Sequence, residues 1–329
     1  MDTLVVAPSW VGDAVLSQPL LARLKSRDPA GAIDVLAPAW AFPVFRRMPQ
    51  VREVLALPFG HGELRLGERR DFAKALPRYD RAVVLPNSLK SALVPWHAGI
   101  AERIGYRGEW RYGLLTDVRL LDERALPLLV DRFAALAQPR GEALERPVPA
   151  PRLLADPASL SATIAKHGLE GEGPVLALCP GAEYGPAKRW PARHFAEVAR
   201  AHAAMGYRVW LLGSGKDAAA SAQIATLAAV PLHDLAGKTN LTEALDLLSA
   251  ANRVVSNDSG LMHIAAAFDR PMAALFGSSS PGYTPPLSPR ARIVTLGLPC
   301  SPCFKRDCPL GHTNCLEQLE PARVMAALD

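Results

Sequence analysis

Short runs of β-branched and apolar residues alternate with longer amphipathic stretches along this chain. That alternation is typical of βα units that feed a parallel sheet, so it predicts an α/β fold. In the first half we expect strands at Leu4–Ala7, Ile33–Leu36, Val51–Leu57 and Ala82–Leu85, with helices at Ala14–Lys25 and Leu128–Ala137. In the second half we expect strands at Val175–Cys179, Tyr207–Leu212, Arg253–Ser256 and Met272–Phe276, with helices near 192–204, 216–228, 241–250 and 260–268.

The two series are separated by a proline-rich stretch, Pro147–Pro157, which suits a connection between domains. A length of 329 residues agrees with two domains of ordinary size. We therefore expect one doubly wound sheet over 1–155, a second over 156–319, and a terminal helix over 320–329.

The composition narrows the classes of partner. No uninterrupted apolar stretch approaches the roughly 18 residues of a membrane-spanning helix. The chain opens on Asp2 and a short β-like run, so no signal peptide is visible and we expect a cytoplasmic location. The net charge of +5 favours an anionic partner, which leaves acidic membranes and phosphorylated substrates open. No nucleic-acid motif is present, and we expect no nucleic-acid partner.

Four segments follow predicted strands. In open α/β sheets the ligand binds beyond the carboxyl ends of the strands, so these loops are where we expect the chemistry. They are Pro8–Asp13, Pro86–Lys90, Pro180–Trp190 and Asn257–His263.

Asp13 is expected at the start of a helix, where free backbone amides favour a carboxylate. It is interpreted either as an N-cap worth about 1 kcal/mol or as a general base, with Gly12 allowing a substrate close to the backbone. The residues alone leave both roles open.

The second half carries two candidate anion-binding features. Ser259 and Gly260 begin a predicted helix whose free amides suit a phosphate, and His263 lies in its first turns; a simple capped turn is the alternative. In the loop Pro180–Trp190, Gly181 gives flexibility and Lys188 gives a cation for a diphosphate leaving group, or else Lys188 is a surface lysine. Because no G-x-S-x-G elbow is present, nucleophilic serine chemistry is not expected.

The loop Gly213–Ala218 nearly matches a dinucleotide fingerprint, with Asp234 about twenty residues further on. Asp217 stands where a Walker loop needs Ser or Thr. The fingerprint normally occupies the first βα turn of its domain, which this loop does not, so a dehydrogenase remains only an alternative. Gly213 is still a candidate contact to a nucleotide.

Arginines in the first half are candidate receivers of phosphate or carboxylate groups, although a solvated basic face is the alternative for each one. Four cysteines crowd into sixteen residues near the end of the chain. In a reducing compartment such spacing suggests a metal site or idle thiols before disulfides. These cysteines are Cys300, Cys303, Cys308 and Cys315.

Four ordered segments closely resemble the ADP-heptose:lipopolysaccharide heptosyltransferase family. They are Pro8–Asp13, Pro86–Pro95, Pro180–Pro191 and Asn257–His263. The resemblance implies a GT-B glycosyltransferase with two Rossmann-like domains, the second binding ADP-heptose and the first binding the acceptor. It also implies an inverting transfer of L-glycero-D-manno-heptose to the first heptose of the lipopolysaccharide inner core, heptosyl-Kdo2-lipid A.

Residue by residue, the resemblance implies that Asp13 is the base, Lys188 meets the donor phosphates and Asp258 lies near the donor sugar. Ser259, Gly260 and His263 fall on the diphosphate-binding helix start. From their loops alone, Gly181 and Gly213 are further candidate contacts to the donor. No cofactor is implied for catalysis, a structural Zn or Fe at the four cysteines is expected, and the terminal helix is expected to pack back toward the first domain. The predicted acceptor contacts are Asn87, Lys90, Arg69, Arg107 and Arg111.

The implied acceptor carries Kdo carboxylates and lipid A phosphates, so peripheral attachment to the inner membrane is also expected. Three alternatives stay open: the sister activity on Kdo2-lipid A, a GT-B sugar-nucleotide epimerase, and a non-catalytic nucleotide-sugar-binding module. An acidic residue facing the helix-start anion site favours an enzyme over the binding module.

Overall fold

A computed structural model of the chain describes residues 1–60 and 62–329. They divide into two compact units, Met1–Pro151 and Arg152–Asp329. The connection Pro147–Pro157 leads into a helix that begins at Pro157, where the Asp156 side chain accepts a hydrogen bond from Ser159 N. The assignment of each half of the chain to one substrate stays a prediction.

The described residues of the first unit form a six-stranded parallel sheet in the order β3-β2-β1-β4-β5-β6. The register pairs Thr3 with both Ile33 and Arg81, so the first and fourth strands are neighbours. The strands are β1 (Thr3–Val6), β2 (Ile33–Ala37), β3 (Glu53–Ala56), β4 (Arg81–Val84), β5 (Glu102–Tyr106) and β6 (Asp117–Arg119).

In the described part of the first unit the prediction missed the three helices between residues 42 and 97, and one of the two helices it named is divided. The expected helix Ala14–Lys25 is two helices that meet at Ser17, because Pro19 has no N–H to donate to the preceding turn. Ser17 Oγ donates to Ala14 O over 2.7 Å at this point. The helices are α1 (Val11–Leu16), α2 (Gln18–Arg27), α3 (Phe42–Arg46), α4 (Leu66–Lys74), α5 (Leu89–His97) and α6 (Leu129–Ala135).

The second unit repeats this strand order, with β12-β11-β10-β7-β8-β9 in a six-stranded parallel sheet of described residues. Its strands are β7 (Val175–Cys179), β8 (Arg208–Leu211), β9 (His233–Asp234), β10 (Arg253–Asn257), β11 (Met272–Leu275) and β12 (Ala291–Val294). Its helices are α7 (Pro157–His167), α8 (Ala192–Ala204), α9 (Ala218–Ala228), α10 (Leu241–Ala250), α11 (Gly260–Ala267), α12 (Asn314–Glu317) and α13 (Pro321–Ala326).

Central strands are buried along their whole length, as in β1, β2 and β7. Helices cover both faces of such sheets, so these strands are continuous apolar runs that the sequence pattern detects. The strands that the prediction missed are β5, β6, β9 and β12. They are short or partly exposed and carry polar residues, which leaves no such run.

The terminal helix α13 packs against α8, and Val324 and Leu328 join the apolar core of the second unit. These residues therefore belong to the second unit, and their expected contact with the first half stays a prediction. Within the described part of the chain, no helix has both the length and the apolar character that crossing a bilayer requires.

Candidate active site

Two of the four candidate loops meet in the second unit. Pro180–Trp190 follows β7 and Asn257–His263 follows β10, and these two strands are neighbours in the sheet. The strand order reverses between them, which is where doubly wound sheets bind ligands. Asn257 is fully buried: its Nδ2 donates to Pro180 O over 2.7 Å and its Oδ1 accepts from Trp190 N over 3.1 Å. One side chain thus holds both ends of the first loop.

Lys188 and Asp258 form an ion pair at this edge. Lys188 Nζ lies 2.6 Å from Asp258 Oδ2, and the Asp258 side chain is only 6% exposed. The ammonium group also lies 5.3 Å from the ring centre of Tyr184. Asp258 immediately precedes Ser259, the N-cap of α11, so the lysine stands beside the free amides of a helix start.

Three buried polar atoms at this edge have no hydrogen-bond partner among the described residues. They are His263 Nδ1 in the first turns of α11 and the hydroxyl oxygens of Ser278 and Ser279, which follow β11. Burial lowers the pKa of His263 to about 4, so the imidazole is neutral at pH 7. Buried polar groups are normally paired, and three unpaired ones at one edge of the sheet indicate a place for a polar ligand.

The loop after β8 is closed by its own aspartate. Asp217 Oδ2 accepts hydrogen bonds from Ser214 N over 2.9 Å and Ser214 Oγ over 2.8 Å. A Cβ atom at Gly181 would lie 2.5 Å from the same carboxylate, so the Gly181 and Gly213 loops pack closely together. Because Asp217 already occupies the amide that a dinucleotide phosphate would use, the geometry argues against the dehydrogenase alternative.

The other two candidate loops meet in the first unit. Pro8–Asp13 follows β1 and Pro86–Lys90 follows β4, which are again the neighbouring strands at which the order reverses. Asp13 lies in the first turn of α1 and is half-buried. Beside this loop, Trp40 is 54% exposed and its Nε1 donates to Ser9 O over 3.0 Å. Trp10, the N-cap of α1, is 59% exposed.

The heptosyltransferase model of glycosyltransferase family 9 matches residues 69–314, about three quarters of the chain. The chain belongs to glycosyltransferase family 9. This family 9 chain is 47% identical to lipopolysaccharide heptosyltransferase 2 of Escherichia coli over 100% of its own length and 98% of that protein. It is 46% identical to lipooligosaccharide heptosyltransferase 2 of Haemophilus influenzae, covering 90% of this chain and 89% of the relative.

Solved structures agree with this family assignment. The E. coli ADP-heptose lipopolysaccharide heptosyltransferase II superposes with a TM-score of 0.89 at 45% identity, and the match covers 100% of this chain and 97% of that one. The fold of this family 9 chain is therefore GT-B, as expected from the sequence, and the chain is a glycosyltransferase.

Two arginines predicted to contact the acceptor are buried. Arg69 is 3% exposed, lies 4.2 Å from the Phe59 ring centre, and donates to Leu64 O and Glu63 O. Arg111 is 2% exposed and donates to Pro86 O over 2.6 Å. Desolvation lowers its pKa to about 10, which leaves it charged at pH 7. Both guanidinium groups bind backbone carbonyls, and their contact with an acceptor stays a prediction.

The remaining predicted acceptor residues lie where a ligand has access. Asn87 and Arg107 are exposed and Lys90 is half-buried. A Cβ atom at Gly108 would lie 2.1 Å from Asn87 O, so this glycine permits a close approach that carries Arg107 beside Asn87. Arg111 also donates to Asn87 Oδ1 over 3.1 Å and so orients that amide.

The four cysteines near the end of the chain line one cavity of about 20 Å³, together with Ala187 and Ser278. Among residues 1–60 and 62–329, however, no group of three or more His, Cys, Asp or Glu side chains is placed to hold a metal ion. The expected metal site is therefore not seen, and it stays a prediction.

Sequence reasoning did not assign a role to Asn257, Ser278 or Ser279. Asn257 stood inside a candidate segment, and its neighbours Asp258 and Ser259 drew the interpretation. The serines belong to a run of small polar residues directly after a predicted strand, and that signal was available in the sequence.

Proposed function

We propose that this chain transfers a heptose unit from ADP-heptose to the first heptose of the lipopolysaccharide inner core. The observation that carries the proposal is 47% identity to lipopolysaccharide heptosyltransferase 2 over the whole chain. The sister activity is less favoured, because a lipopolysaccharide heptosyltransferase 1 from Pseudomonas aeruginosa is only 26% identical over the same length.

The donor is placed at the carboxyl edge of the second sheet. There Lys188 would exchange part of its contact with Asp258 for the diphosphate, and the amides at Ser259 and Gly260 would complete the anion site. His263 Nδ1 and the hydroxyl groups of Ser278 and Ser279 are available for polar groups of the same ligand. Asp258 keeps the lysine directed to this place and faces the donor sugar.

In the proposed reaction, the acceptor hydroxyl oxygen attacks the anomeric carbon of the donor heptose from the face opposite the diphosphate. A C–O bond to the acceptor forms as the bond between that carbon and the diphosphate oxygen breaks, with inversion. The hydroxyl proton passes to Asp13, and ADP leaves with the bonding electron pair. Lys188 and the helix amides stabilise the charge that develops on ADP.

The acceptor is placed on the first unit. Its Kdo carboxylates and lipid A phosphates suit Lys90 and Arg107, and Asn87 offers an amide for sugar hydroxyl groups. A partner of this kind is embedded in a lipid bilayer, so we place the enzyme peripherally at the cytoplasmic face of the inner membrane.

The test compares ADP release from ADP-heptose with and without heptosyl-Kdo2-lipid A. We expect release only with the acceptor, and release without it would contradict the transferase assignment. Asp13→Asn should keep ADP affinity and lose about 10²- to 10⁴-fold in kcat. Asp71→Asn, an exposed carboxylate on α4, is the matched control and should leave both values unchanged.

We also propose that Cys300, Cys303, Cys308 and Cys315 bind one thiophilic metal ion as a structural element. One observation supports it: the four cysteines line one small cavity. Elemental analysis of freshly purified protein should give about one Zn or Fe per chain, and none in Cys303→Ser. A wild-type content near zero would refute the site.

A further inference from the structure

The segment that contains the cysteines contacts the candidate donor loop directly. Ala187 N donates to Arg306 O over 3.0 Å, and Arg306 Nε donates to Tyr184 O over 2.7 Å. Tyr184 OH donates in turn to Phe304 O over 2.9 Å. Three hydrogen bonds thus join residues 304–306 to the stretch that ends at Lys188.

The backbones approach so closely that a side chain at one position is excluded. A Cβ atom at Gly185 would lie 2.5 Å from Arg306 O. This tight contact between segments about 120 residues apart fixes the backbone path of both segments. The 3₁₀ turn Pro186–Lys188 follows directly after this glycine, so the contact fixes the backbone position from which the Lys188 side chain extends.

Two cations lie close to the Tyr184 ring. Lys188 Nζ is 5.3 Å from its centre and the Arg306 guanidinium carbon is 5.8 Å from it. Cation–π contacts of this kind restrict where an ammonium group can lie. The ring therefore links the position of Arg306 to that of Lys188.

Residues 304–306 are themselves held from the other side. Phe304 N donates to Ser278 O over 2.7 Å, at the exit of β11. Phe304 has a φ of 55°, in the left-handed region that costs a non-glycine residue energy. A strained residue is retained where surrounding contacts require it, and here both backbone polar groups of Phe304 are used in bridging β11 to the donor loop.

We propose that Arg306 is a positioning residue for the donor diphosphate, acting through Tyr184 to hold Lys188 in place. The inference rests on the proposed function, because it requires Lys188 to contact the phosphates of a nucleoside diphosphate. It adds a role for a segment that the sequence linked only to cysteines.

The experiment measures binding of ADP and of adenosine to the full-length protein by calorimetry. Arg306→Ala should weaken ADP binding about tenfold and leave adenosine binding unchanged, because only the phosphates depend on Lys188. The KM for ADP-heptose should rise by a similar factor, with the KM for the acceptor unchanged. Tyr184→Phe keeps the ring and loses one hydrogen bond, so its effect should be smaller, about two- to threefold.

Lys305→Ala is the matched control. It removes an equal charge from the adjacent exposed position, so it separates positioning from long-range attraction. Equal loss of ADP and adenosine binding in Arg306→Ala would show a merely structural role and overturn the proposal, as would unchanged ADP binding or an equal effect of Lys305→Ala. If Lys188→Ala has no effect on the preference of the protein for ADP over adenosine, the donor site itself is wrong, which is a separate failure.

Discussion

The two units share one strand order but build the functional edge of the sheet in different ways. In the second unit Asn257, Asp258 and His263 are all buried, and both tryptophans of that unit, Trp190 and Trp210, are at most 3% exposed. In the first unit every tryptophan is at least 44% exposed. These are Trp10, Trp40, Trp96 and Trp110.

This difference separates a prebuilt polar site from an open surface, which is the Pro8–Asp13 loop with the exposed rings of Trp10 and Trp40. Buried polar groups, some fixed by partners as Asn257 and Asp258 are and some unpaired as His263 Nδ1 is, hold a small charged ligand without reorganisation. Exposed indole rings offer flat apolar area with one polar atom, which suits a large amphiphilic ligand. The contrast fits the proposal that the second unit binds a nucleotide-sugar donor and the first a glycolipid acceptor.

The largest effect expected from this comparison is on the second edge. Asn257→Ala removes two buried hydrogen bonds and leaves Pro180 O and Trp190 N without partners. The free energy of unfolding should fall by about 3 kcal/mol. Because the same bonds hold the Lys188 loop, ADP affinity should fall as well. Urea unfolding and calorimetry measure the two effects.

Asn252→Ala is the control for that variant. Asn252 Oδ1 accepts from Val175 N over 2.8 Å at the start of β7, away from the candidate loops. Its loss should reduce stability and leave ADP affinity unchanged. Unchanged ADP affinity in Asn257→Ala would show that the second edge does not depend on this buried amide.

The next effect is a pH dependence of stability confined to the second unit. Burial lowers the pKa of His263 to about 4, so between about pH 4 and pH 6.5 the unfolded chain binds a proton that the folded chain does not. The stabilising contribution is complete above pH 6.5 and decreases as the pH falls. From pH 7.5 to pH 5 the loss should be about 2 kcal/mol.

His263→Asn should remove that part of the pH dependence when urea unfolding is repeated at both pH values. Asp258 raises and Lys188 lowers the pKa of this imidazole, but desolvation is the larger influence. An equally steep loss in the variant would assign the pH dependence to other groups.

In the first unit, beside the Pro8–Asp13 loop, we expect a smaller effect on stability and a specific effect on binding. Trp40→Ala should reduce stability by about 1 kcal/mol or less, because the ring is half exposed and only its Nε1 is bonded. If the open surface receives the acceptor, the KM for acceptor should rise about fivefold, with the KM for ADP-heptose unchanged. An increase in the donor KM instead would contradict the division between the units.

The smallest effect is expected for Trp110→Ala. This ring is 87% exposed, so thermal unfolding should show a change within about 0.5 kcal/mol. A loss above about 1 kcal/mol would show that exposed rings of the first unit do contribute to its folding.

Much of the fold could be predicted because local signals agreed with it. The apolar run Val175–Cys179 is a strand with the predicted bounds, and the helix over 192–204 begins and ends as expected. All four post-strand loops could be predicted as well, since parallel strands bring their carboxyl ends to one edge.

What could not be predicted depends on contacts between distant positions. Arg69 and Arg111 carry charge, and only the folded chain shows that their guanidinium groups are buried against backbone carbonyls. The link between Tyr184 and Arg306 joins segments that are far apart in the sequence. Hydrophobic periodicity contains no information on such pairs.

The close approach at Gly185 also limits how the donor site can be redesigned. A loop taken from a relative with a different sugar preference would bring its own residue to this position. Any Cβ atom there would lie 2.5 Å from Arg306 O, which is too close. Chimaeras that replace 180–190 alone should therefore fold with the loop displaced unless glycine is kept. Segments 180–190 and 303–308 form a single exchange unit for protein engineering, and they should be transplanted together.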